Sequence, residues 1–140
     1  MARPTSFRLP EELLRDLEAE ASATGSTATG LVTELLQEGL AVRRHPGLVF
    51  RGGPSGRRAA LAGGPDVWEV IRDLQHLEGP QDERLRALHE ATGVEPRQAQ
   101  VAVDYYLDHA DEVDAHIVAD EAAAARVRLR LERRAQLFAS

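Results

Sequence analysis

Apolar and polar residues first alternate along this chain, then recur in steps of three and four, and the change of period falls at Pro10. In "TSFRLP", Thr5, Phe7 and Leu9 share one face of an extended segment, and Ser6 and Arg8 share the other. The alternation predicts a short strand, which Pro10 ends at or just before a first helical turn. A lone strand leaves its backbone donors and acceptors unpaired. No matching strand follows nearby, so its expected partner is the same strand of a second copy.

Beyond Pro10 the helical period takes over. Leu13, Leu14, Leu17 and Ala21 form one stripe, Glu11 and Glu12 favour the first turn, and Gly25 marks the end. A second helix starts after Thr27, a suitable N-cap, with Leu31, Val32, Leu35, Leu36, Leu40 and Val42 on a broad face. Two short strands, Leu48–Arg51 and Arg58–Leu61, flank the turn-rich "GGPSGR". Asp66 and Glu69 have the spacing of a capping box that opens a third helix. Its stripe is Val67, Val70, Ile71, Leu74 and Leu77, with Trp68 packed beside it. Two further helices joined by a tight turn at Gly93, the second opening at Pro96, resemble a helix-turn-helix. A last helix of about 28 residues carries Val113, Ile117, Ala124, Val127, Leu131 and Phe138 at helical steps, and Asp120 and Arg134 interrupt that stripe.

Aromatic residues are only 4% of the 140, so the core must rest on Leu, Val and Ala. The chain lacks cysteine, which removes disulfides and thiolate metal sites and suits a reducing compartment. No apolar run resembles a signal peptide or approaches the ~20 residues of a membrane span, so a cytoplasmic protein is expected. The net charge of −6 argues against nucleic acid until its distribution is considered. Residues 80–120 hold ten carboxylates against three arginines, whereas residues 121–140 hold five arginines against two carboxylates. The acidity is local, and basic surface elsewhere is compatible with it.

Residues 3–44 resemble the ribbon-helix-helix DNA-binding proteins, which include CopG-like repressors and many bacterial antitoxins. The resemblance rests on S-F-R-L-P-E-E-L-L followed by G-x-[ST]-x-[ST]-x-L-V. It implies an intertwined homodimer whose paired N-terminal strands enter the major groove of operator DNA. On that resemblance Ser6 and Arg8 are base-reading, with Arg3 beside them, and Phe7 and Leu9 face the core. Thr27 and Thr29 would hold a phosphate at the start of the second helix. Major-groove readout by a two-stranded ribbon and phosphate capture by helix N-termini need no lysine, so an acidic chain can bind DNA this way. An amphipathic helical hairpin with a frayed N-terminus is the plainer reading of the same residues.

Residues 45–118 resemble the "domain of unknown function 433" family through H-P-G, a Gly-rich strand pair, G-x-P-x-x-W-x-V-I and a late helix near D-E-V-D. Such domains are small winged-helix-like units, often antitoxins encoded beside PIN-like ribonuclease toxins. Arg51, Arg57 and Arg58 would then touch a DNA backbone as a wing does, or line a solvated hairpin tip. "RGGPSGRR" lacks the Lys-[ST] of a P-loop, so nucleotide binding is rejected. Arg97, Gln98 and Gln100 stand early on the second helix of the helix-turn-helix, inside the acidic block, which favours protein contact over base reading. His109, Glu112 and His116 have the spacing of a helical metal site but fit a solvated face better. No nucleophilic triad can be assembled, so no enzyme, metal or cofactor is expected.

The resulting expectation is a mainly α protein in three parts. These are a ribbon-helix-helix module at 1–44, a winged-helix-like domain with a short β-hairpin at 45–118, and a C-terminal helical segment at 119–140. The resemblances imply an antitoxin that represses its own operon and neutralises a PIN-like toxin encoded next door. The toxin would meet Val127, Arg128, Arg130, Leu131, Arg133, Arg134 and Phe138, with the arginines facing an acidic surface. A stand-alone transcriptional regulator and a protein-only adaptor are the alternatives.

Overall fold

The computed structural model describes residues 2–53 and 56–139. It is mainly helical, with six helices and 69% helix, and its strands form a two-stranded antiparallel sheet. The chain divides into two compact units, the first ending at Arg43 and the second beginning at Arg44.

The first unit holds α1 (Glu11–Thr24) and most of α2 (Ala28–Arg44). α1 ends where Gly25 turns left-handed at φ 67°. The Gly25 N–H then reaches the Ser22 carbonyl at 3.3 Å, and the Ser26 N–H reaches Ala21 at 2.9 Å, a paired closure that satisfies two orphan carbonyls. At the start of α2, Thr27 Oγ1 accepts the Gly30 N–H at 3.0 Å, as expected of an N-cap. Only Ala21 and Leu31 are buried in these two helices. Residues 2–10 carry no assigned strand. The strand expected over Thr5–Leu9 is therefore absent from the single chain, which offers this segment no ladder to join. Phe7, expected to face inward, is 77% exposed.

The first elements of the second unit are β1 (Leu48–Arg51) and β2 (Arg58–Leu61), at the bounds expected around the turn-rich GGPSGR. Leu48 pairs with Leu61 and Arg51 with Arg58. Gly53 and Gly56 exchange two backbone hydrogen bonds of 3.0 Å at the hairpin tip. α3 (Val67–His76) is the centre of the unit, packing against β2, α4 (Gln81–Thr92), α5 (Pro96–Asp108) and α6 (Ala110–Leu137). Its Val67, Val70 and Ile71 are buried with Leu48, Leu61, Leu88 and Tyr105, an aliphatic core with one large ring. Gly93 closes α4 at φ 77°, and Pro96 opens α5, as the sequence implied. A capping box does occur, but at Glu95 and Gln98. α6 is continuous for 28 residues and crosses position 119 without a break. Val113 and Ile117 are buried, whereas every described residue after Asp120 is exposed.

Candidate nucleic-acid interface

In the first unit, the extended segment and the two helices leave an apolar groove of ≈ 400 Å³. Phe7, Arg8, Leu9, Leu13, Leu17, Val32, Leu35 and Leu36 line it. Leu13, Leu35 and Leu36 are each about half exposed, and Leu40 more than half. Isolated exposed leucines are ordinary, but so many on one face of a 43-residue unit form a surface that water solvates poorly. The structure brings Arg8 to this groove and leaves Arg3 and Ser6 on the exposed segment before it. Thr27 and Thr29 stand at the start of α2. The Gly30 N–H is already taken by Thr27, and Thr29 O accepts the Thr33 hydroxyl at 3.0 Å.

The hairpin arginines have a different environment. Asp66, largely buried, accepts Arg58 Nε at 2.6 Å, Arg51 Nη2 at 3.1 Å and Trp68 Nε1 at 3.2 Å. Arg51 also donates to the Gly64 carbonyl at 2.6 Å, and Arg57 donates to the Phe50 carbonyl at 3.3 Å. Burial alone would raise the Asp66 pKa; the hydrogen bond and charge of Arg58, with Trp68 and Arg51, outweigh it and hold the carboxyl below its ordinary value. Asp66 occupies the N-cap position of α3, but its side chain makes no cap hydrogen bond, so the capping box expected with Glu69 does not form. Charge-assisted bonds to two guanidinium groups are the stronger use of that carboxylate. The sequence contained a signal for this. Arg51 and Arg58 stand directly opposite each other in the hairpin, and like charges so placed require an anion nearby.

Trp68 sits beside this carboxylate, with the Arg72 guanidinium 5.1 Å from its ring centroid. Arg72 in turn reaches Asp120 at 3.4 Å and so fastens α3 to α6. A cleft of ≈ 300 Å³ opens between these groups, lined also by Glu69 and His116.

Two of the polar groups early on α5 are engaged internally, while Arg97 is exposed. Gln98 accepts the Glu95 N–H at 2.9 Å, and Gln100 donates to Asp104 at 3.0 Å. His109 lies between α5 and α6, stacks on Tyr105 at 4.3 Å and comes within 4.0 Å of Glu112. Among the described residues no group of three His, Cys, Asp or Glu could hold a metal ion. The histidine of the H-P-G motif, His45, is buried against the edge of the Tyr105 ring, with Nε2 3.1 Å from Asp108. The Tyr105 hydroxyl donates to Glu112 at 2.9 Å, and burial first, then Glu112, pushes its pKa upward. These residues tie the start of the hairpin to the α5–α6 junction.

On α6 the candidate contact residues Val127, Arg128, Arg130, Leu131, Arg133, Arg134 and Phe138 are all exposed. Val127 and Leu131 continue the face on which Val113 and Ile117 are buried. No helix of the described residues is long and apolar enough to cross a membrane. Compared with family models, with curated proteins and with solved structures, the chain matches none.

Proposed function

We propose that the chain is a DNA-binding repressor that works as a homodimer through a ribbon-helix-helix module at residues 1–44, followed by a winged-helix-like domain. The apolar groove around Phe7, Leu9, Leu13 and Leu35 carries this reading. A second copy of the same segment supplies what that surface lacks. Pairing of the two Thr5–Leu9 segments satisfies their backbone groups, covers Phe7 and Leu9, and turns Ser6 and Arg8 outward toward base edges. Arg3 and the α2 N-termini at Thr27 and Thr29 meet phosphate. Because Arg51 and Arg58 are bound to Asp66, the hairpin contributes less to DNA than the ribbon does.

Titration of promoter DNA tests this reading. Arg8→Ala should weaken operator binding by about 1–3 kcal/mol and relax sequence preference, because it removes the strand's one long base-reading donor. Its far-ultraviolet circular dichroism should match wild type. Equal operator affinity in the mutant would remove the ribbon from the mechanism.

The exposed half of α6 favours a second role, that of an antitoxin. Its apolar positions and arginines suit a protein partner, and a PIN-like toxin from the neighbouring gene is the partner proposed. Co-purification of the two gene products tests it. Failure to co-purify would leave the stand-alone repressor.

A further inference from the structure

We infer that, without another partner, the distal half of α6 docks in the cleft between α3, α4 and α5 of a second copy. This goes beyond the DNA-binding and antitoxin readings and rests on neither. Arg126, Arg130 and Arg133 stand at i, i+4 and i+7, so they form a row along one side of the apolar stripe of Val127, Leu131 and Phe138. Such a helix complements an apolar groove with an acidic rim.

The second unit contains such a groove. A cleft of ≈ 290 Å³ is lined by Leu74, Leu85 and Val103, with Gln81 and Gln100 at its edges. The exposed carboxylates Glu83 and Asp104 flank these residues, Asp104 bonded to Gln100. The lining Arg84 is committed to carbonyl oxygens, donating to Gly79 at 2.8 Å and to Leu74 at 3.4 Å. Both elements belong to the two charged stretches of the chain, residues 80–120 being strongly acidic and residues 121–140 basic.

The geometry selects the second copy. α6 is unbroken to Leu137, and its residues after Asp120 are exposed, so the helix projects from its own unit and does not fold back. Pairing of two distal halves with each other would set five arginines and two carboxylates against the same set, which is repulsive. Docking of helix on cleft sets opposite charges together and covers both apolar surfaces. Reciprocal exchange between two copies closes the assembly as a symmetric pair.

The chain lacks cysteine, so disulfide trapping in the full-length protein reads this contact directly. Leu131→Cys and Gln100→Cys, both at exposed positions, are co-expressed and oxidised. The expected product is a mixed disulfide dimer that is lost when Arg126, Arg130 and Arg133 are changed to Glu. It should return when Glu83 and Asp104 are changed to Arg as well. Phe138→Cys with Gln81→Cys is a second pair, used if either first variant fails to fold by circular dichroism. Disulfides between two Leu131→Cys chains would overturn the inference in favour of helix–helix pairing. Absence of any mixed disulfide from both pairs, or its indifference to the charge reversals, would also overturn it. Operator binding is measured on the same samples, so failure of this contact and failure of the repressor reading are separable.

Discussion

Asp66 shows how one side chain can fix the joint between a hairpin and a helix. Three donors converge on its carboxylate, two of them arginines that would otherwise repel across the strand pair. Asp66→Ala should cost about 3 kcal/mol, because it removes the buried carboxylate that Arg51 and Arg58 share. Thermal unfolding measures that loss, and Asp66→Asn should show most of it. The pH dependence has a defined sign. The Asp66 pKa is lowered in the fold despite burial, so its contribution is present above the ordinary carboxylate pKa and is lost as pH falls through the folded value. Wild type should therefore lose stability on acidification more steeply than Asp66→Asn. Glu69 runs the other way: burial, and then Asp66, raises its pKa, so its contribution favours low pH and fades as pH rises. Glu69→Gln should accordingly make the acid limb slightly steeper and be neutral or stabilising at pH 7. An acid limb unchanged by Asp66→Asn would show that other carboxylates dominate.

At the scale of elements, α1 and α2 fold locally but are not completed locally. Each has good signals at its ends, yet between them they bury only Ala21 and Leu31. If two copies complete the module, its melting midpoint should rise with protein concentration. Phe7→Ala should then cost the dimer about 3–5 kcal/mol. A monomer by sedimentation, with a concentration-independent midpoint, would sink this expectation. The helices and both hairpin strands were legible because their information is local: periodicity, Gly25 and Gly93 in left-handed conformations, Thr27 as a cap and Pro96 at a helix start. What escaped was tertiary. The spacing of Asp66 and Glu69 does indicate a helix start, but only the folded hairpin brings Arg51 and Arg58 close enough to claim the carboxylate. Thr5–Leu9 illustrates the converse, since its alternation is plain and yet a single chain holds no partner with which to express it.

For the whole molecule, the two units differ in what they need. The second has its own aliphatic core, with α3 packed on every neighbouring element. Removal of residues 122–140 should leave that unit's unfolding free energy within about 0.5 kcal/mol of wild type, because exposed residues contribute little. Calorimetry of the truncated protein checks this; a large drop would mean that the distal helix supports its own unit. Operator binding should persist in the same truncation. The continuity of α6 has a mechanical corollary. Without glycine or proline over 28 residues, it is a rod of about 42 Å, and anything gripped near its tip is held at a fixed reach and a fixed angular phase. A seven-residue insertion after Ala125 would lengthen the arm by about 10 Å and nearly preserve that phase. A two-residue insertion would swing the tip through about 200° and carry Val127, Leu131 and Phe138 to the far side of the helix.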